Sequence, residues 1–140
     1  MYFSSVHKFT YWLYGAVLLS NIQKITIIIT SGILIAITFL MLAPLSTPKG
    51  YGFDDKTYHI LAFAGLIIPI ATLQPRWLLL AIPLFILFGG MIELIQPYFG
   101  RTRDLADWIA DIKGVFIGSA FGLFLSFFVQ RKLQYIASKI

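Results

Sequence analysis

The 140-residue chain has no cysteine, which excludes structural disulfides and thiolate chemistry but says nothing about compartment. Charge is scarce: Asp, Glu, Lys and Arg make up 12% of the residues, and only 6 of them are acidic. No stretch rich in Gly, Ser or Pro divides the sequence, so one compact unit is expected rather than two domains. What fills the chain instead is apolar. The sequence is 59% hydrophobic and 16% aromatic, with a mean hydropathy of +0.84. That is more apolar surface than a soluble domain of this length can bury, and it predicts an all-α integral membrane protein.

Four windows have the roughly 20 residues that a helix needs to cross a hydrocarbon core about 30 Å thick. The first runs from about Ile25 to Leu45 without a single charge, with Pro44 near its end. The second opens near Thr57 and closes at Leu73, the third runs from Trp77 to Gln96 before Pro97, and the fourth from about Leu105 to Gln130. Upstream, "FTYWLYGAVLL" at Phe9 to Leu19 is short and rich in Tyr and Trp. It reads as an interfacial or short extra helix within an N-terminal lead-in, and no small-residue site marks it as a cleaved signal. The expected organisation is therefore a lead-in at 1–24, a four-transmembrane-helix bundle at 25–130 and a basic tail at 131–140.

Orientation follows from the cations. One side holds Lys8, Lys24, Arg76, Arg131, Lys132 and Lys139 and no acid. The other holds Lys49, Lys56, Arg101, Arg103 and Lys113, with all six acids on it or near it: Asp54, Asp55, Glu93, Asp104, Asp107 and Asp111. Unmatched cations act as topology signals, so both termini are expected in the cytoplasm. The net charge of +5 is spread over span ends rather than gathered on a soluble face, which argues against nucleic acid as a partner.

The matched charges look like a site. At about 1.5 Å rise per residue, Glu93 lies roughly 5 Å inside the helix end at Gln96, His59 lies at a similar depth below the start of span two, and Asp111 lies about a turn and a half inside span four. Spacing aligns these groups as well: Asp55 and His59 are i, i+4, Glu93 and Gln96 are i, i+3, and Asp104, Asp107 and Asp111 continue along one helix face. That face runs on to Gly114, Gly118 and Gly122, small residues that let another helix approach closely, so it should point into the bundle. A carboxylate turned to lipid costs about 2.5–3.5 kcal/mol at a helix centre, which also favours inward placement beside Lys56, Arg101 or Arg103. Trp12, Trp77 and Trp108 read as interfacial belt residues, Lys113 as a cation reaching for the headgroups, and Gly89 and Gly90 as packing positions.

Three segments, "DKTYHILAFAGL" from Asp55, "ELIQ" from Glu93 and "GRTRDLADWIADIKGVFIG" from Gly100, together resemble the VanZ-like membrane proteins. That family carries Lys-x-x-His at the head of one helix, Glu-x-x-Gln at the end of the next, then Gly-Arg, a spaced Asp, an Asn and two glycines. The resemblance covers Asp55 to about Gly118. It matches Lys56 and His59 to the first element, Glu93 and Gln96 to the second, and Arg101, Asp107, Gly114 and Gly118 to the third. One position departs, since Asp111 stands where the family usually has Asn. The resemblance implies a small, multi-pass protein of the bacterial cytoplasmic (inner) membrane, in a family linked to resistance to the glycopeptide teicoplanin.

Two functional classes follow from the polar layer, with a third beside them. In the first, Lys56, His59, Glu93, Gln96, Arg101, Arg103, Asp107 and Asp111 form an extracytoplasmic pocket for an anionic envelope component, a membrane lipid or lipid-linked wall precursor, with the arginines as forked donors. In the second, the chain is a hydrolase or transferase acting on a lipid phosphate, with His59, Glu93 and Asp107 as catalytic candidates. The third is a structural subunit, either a homo-oligomer or part of a larger envelope complex, packed through its glycine face. No cofactor is expected. His59 with Glu93, Asp107 and Asp111 could hold a divalent metal, but their spacing is not diagnostic and no metal is assigned.

Overall fold

The computed structural model describes residues 3–43 and 54–137. Residues 44–53, with Lys49, and 138–140, with Lys139, lie outside the described residues. Four α-helices follow one another: α1 (Phe3–Leu42), α2 (Asp55–Leu73), α3 (Leu78–Ile95) and α4 (Leu105–Ala137). Single 3-10 turns at Pro75–Trp77 and Gln96–Phe99 join α2 to α3 and begin the passage from α3 to α4. Each of the four contains a stretch long and apolar enough to cross a membrane: Ser20–Leu42, Asp55–Leu73, Pro75–Phe99 and Leu105–Lys132. The protein is an all-α, multi-pass membrane bundle.

Three helix ends differ from the sequence reading. The lead-in is not a separate interfacial helix, because α1 runs unbroken from Phe3 into the first span. At about 1.5 Å per residue its 40 residues reach roughly 60 Å, about twice the hydrocarbon thickness. The same helix stops at Leu42, not Leu45, because Pro44 disfavours helical geometry at the residue before it. At the other end, α4 carries helix through the basic segment to Ala137 rather than ending at Gln130.

Lipid takes the place of water around this bundle, and large apolar side chains point outward from every span, among them Phe39, Leu79, Leu80 and Phe124. Apolar burial therefore cannot drive the helices together, and packing must do it. The tightest pair is α2 with α4, and the glycine stripe explains it. A Cβ at Gly114 would stand 2.5 Å from the Ile60 carbonyl oxygen, one at Gly118 would overlap the Ala64 backbone, and one at Gly122 would overlap the Ala71 Cβ. Helix α1 packs least: 17% of its most apolar window is buried, against 33% in each of the other three. Polar side chains in the apolar depth answer to their own helices, as when Thr38 donates to the Leu34 carbonyl and Ser119 to that of Val115. The ionisable groups gather elsewhere, where α1 and α3 end and α2 and α4 begin.

Candidate functional site

The centre of that layer is an imidazole. His59, one turn inside α2, is 2% exposed, and its Nδ1 lies 2.8 Å from Asp111 Oδ1 on α4. With Asp111 ionised its oxygen can only accept, and Nδ1 then carries the proton and donates it. Nε2 then faces Asp107 Oδ2 at 3.9 Å, beyond hydrogen-bond reach. Asp111 can sit so deep because Gly89 of α3 has no side chain, and a Cβ there would stand 2.6 Å from Asp111 Oδ2. Beside it the Trp108 indole lies on Gly90 and donates from Nε1 to the Ile86 carbonyl at 2.8 Å. Trp108 is thus a contact between α3 and α4 rather than only a belt residue.

Glu93 is buried but is not aimed at His59. Its Oε2 accepts the backbone N–H of Asp104 at 2.9 Å, tying the end of α3 to the start of α4. Asp104 in turn caps α4, its Oδ1 accepting the Ala106 N–H at 2.8 Å. It lies outside the spans, and that hydrogen bond, with Lys56 beside it, holds its carboxyl below the ordinary aspartate range. Lys56 Nζ is 3.4 Å from Asp104 and 3.8 Å from Asp107.

A second cluster closes the end of α1. Gly100 takes the left-handed conformation, φ 78°, that L side chains rarely adopt, and turns the chain back after the 3-10 segment. The turn delivers Arg101 beneath the helix ends, where it donates through Nη1 to the Met41 carbonyl at 3.2 Å and through Nη2 to Asp55 Oδ2 at 3.2 Å. Gln96 Nε2 donates to the same carbonyl at 3.3 Å. Carbonyls in the last turn of a helix have no partner within that helix, and these two side chains supply partners for one of α1's.

Between α1 and α2 lies a groove of about 540 Å³. Ile37, Leu40, Leu61 and Ala62 make apolar walls, and Asp55, Tyr58, His59 and Arg101 stand at its polar end. Two further cavities along α1, of about 400 and 560 Å³, have no charged lining residue. Four buried oxygens in the polar layer have no hydrogen-bond partner among the described residues: Glu93 Oε1, Gln96 Oε1, Asp107 Oδ1 and Asp111 Oδ2. Buried polar atoms are seldom left so, and four in one layer set this rim apart from the apolar remainder of the bundle.

Of the residues picked from sequence, Lys56, His59, Asp107 and Asp111 come together as one network, and Gln96 and Arg101 as its neighbour. Glu93 joins through Asp104, and Arg103 is exposed, with no ion pair among the described residues. Three participants lie outside the eight pocket candidates of the sequence. Asp55 was readable through its i+4 relation to His59, and Asp104 as the residue just before a helix. The Met41 carbonyl had no side-chain signal at all. Asp55, His59 and Asp107 also each bring a donor atom within 4.8 Å of the other two, a set able to hold a metal ion. Compared with family models, with curated proteins and with solved structures, the chain matches none.

Proposed function

We propose that the chain is a VanZ-like protein of the bacterial cytoplasmic membrane that binds an anionic, lipid-linked envelope component in the groove beside α1. The observation that carries this reading is the groove itself, whose apolar walls end at Asp55, His59 and Arg101. An amphiphile has the matching form: its chain lies along Ile37, Leu40 and Leu61, and its phosphate or carboxylate meets the guanidinium. Arg101 has two of its five N–H donors engaged and keeps the rest for such a head. The pocket opens to the extracytoplasmic side in this proposal, because Lys24, Arg76, Arg131 and Lys132 gather at the opposite ends of the spans without acids beside them. A wall precursor or its lipid carrier is the ligand class that would connect such a pocket to glycopeptide resistance.

The test is binding of a labelled polyprenyl phosphate to the purified chain in nanodiscs of neutral lipid. Charge-assisted hydrogen bonds are worth about 1.5–3 kcal/mol, so Arg101→Ala is expected to weaken binding roughly 10- to 100-fold with helix content unchanged. Arg103→Ala should weaken it far less. Equal affinity in wild type and Arg101→Ala would overturn the proposal.

One observation favours the enzymatic reading as the alternative. The Nδ1–Asp111 hydrogen bond leaves Nε2 of a groove-lining histidine free to take a proton. Turnover of the same lipid phosphate, lost in His59→Gln, would establish hydrolysis or transfer; binding without turnover would leave a binding protein.

A further inference from the structure

We propose that Asp55, His59 and Asp107 hold a divalent cation, and that this cation, rather than the basic side chains alone, receives the anionic head. The second half rests on the binding reading above; the cation site does not. Its first support is the donor set, two carboxylates and an imidazole from α2 and α4 that converge within 4.8 Å. Asp55 and His59 share a face of α2 at i, i+4, and Asp107 reaches them from α4. Mixed oxygen and imidazole donors suit Mn²⁺ or Zn²⁺ better than the all-oxygen preferences of Mg²⁺ and Ca²⁺.

The second support lies behind the histidine. Asp111 Oδ1, 2.8 Å from Nδ1, accepts a hydrogen bond from it when ionised, which fixes the tautomer and orients the lone pair on Nε2, as carboxylates commonly do behind metal-bound imidazoles. That lone pair faces Asp107 Oδ2 at 3.9 Å. The gap is too long for a hydrogen bond, yet it fits two ligands of one ion, each about 2.0–2.2 Å from it.

The third support is Asp107. It is 5% exposed, its Oδ1 accepts no hydrogen bond, and Lys56 Nζ stands 3.8 Å from that oxygen. A buried carboxylate held this way is costly unless another positive charge compensates it. Charge over the whole layer points the same way. Among the described residues, Asp55, Glu93, Asp104, Asp107 and Asp111 surround the centre, while Lys56 and Arg101 reach it, each already paired to a carboxylate. Such a layer holds more carboxyl groups than cations. A divalent ion would make it attractive to a phosphate, and because Asp55 and His59 line the groove, the ion's remaining coordination positions would open onto it.

The experiment titrates Mn²⁺ into chelator-treated full-length protein in phosphatidylcholine nanodiscs, reading free Mn²⁺ by its EPR signal, with Zn²⁺ as competitor. One equivalent should bind. Asp107→Asn and His59→Gln should each weaken binding at least tenfold, Asp111→Leu roughly 10- to 100-fold, and Lys113→Ala not at all. Circular dichroism monitors folding, and Asp55→Asn at the partly exposed lip supplies a second ligand variant if Asp107→Asn does not fold. Folded wild type that binds neither ion, or affinity unaltered in both Asp55→Asn and Asp107→Asn, would overturn the site. Polyprenyl phosphate binding is then measured with and without chelator. Loss on chelation supports the bridging role, and undiminished binding removes it while leaving the anion pocket in place. Mn²⁺ binding without any lipid-phosphate binding would remove the anion pocket alone.

Discussion

At the residue scale, the 2.8 Å contact between His59 and Asp111 sets the character of the centre, because both groups are almost wholly buried and each is the other's hydrogen-bond partner. Asp111→Asn keeps an acceptor oxygen for the Nδ1 proton and should leave the thermal midpoint nearly unchanged. Asp111→Leu strands the imidazole, and a buried polar group left unpaired costs about 1–3 kcal/mol, so a clear drop in midpoint is expected. Asp104 gives a pH prediction with a definite sign. Its folded-state carboxyl sits below the ordinary aspartate value, so its contribution to stability is complete above the unfolded value of about 3.9. The contribution fades as pH falls through the lower, folded value. Unfolding midpoints of wild type and Asp104→Asn should therefore differ by a constant amount near neutrality and converge in acid.

At the element scale, the pairing of α2 with α4 rests on bare backbone. Gly118→Leu drives a side chain into the Ala64 backbone and should destabilise the bundle by at least about 1–3 kcal/mol. Gly65, also in α2, would place a Cβ where nothing lies within 4 Å. Gly65→Ala is expected to be neutral or to stabilise by up to about 1 kcal/mol, and equal losses in both variants would show that the stripe is not what joins these helices. The elements themselves were legible in the sequence, since long uncharged runs and Pro44 define span ends to within a few residues. So was membership of the polar layer, because depth along a helix and i, i+4 spacing need no knowledge of neighbours. Partnerships were not legible. Whether Glu93 meets His59 or the Asp104 N–H depends on how α3 is rotated against α4, which Gly89 and the Gly90–Trp108 contact decide. Contacts to the Met41 carbonyl leave no trace in residue identity.

At the scale of the whole molecule, the four helices carry polarity at one rim and apolar surface nearly everywhere else, with α1 attached loosely enough to leave a groove. The absence of cysteine makes sidedness measurable. Tyr98→Cys, at the polar rim, should react with an impermeant thiol reagent on intact cells, and Gln74→Cys, at the opposite turn, only after permeabilisation; the reverse pattern would place the polar rim in the cytoplasm. The central claim, that helices α2 and α4 close a buried His59–Asp111 contact, is tested most directly by ¹⁵N NMR of the imidazole. Replacing His7 by Gln leaves His59 as the only histidine. The account predicts a proton on Nδ1, shifted strongly downfield and lost in Asp111→Leu. An Nε2 proton, or an Nδ1 signal indifferent to that substitution, would contradict it.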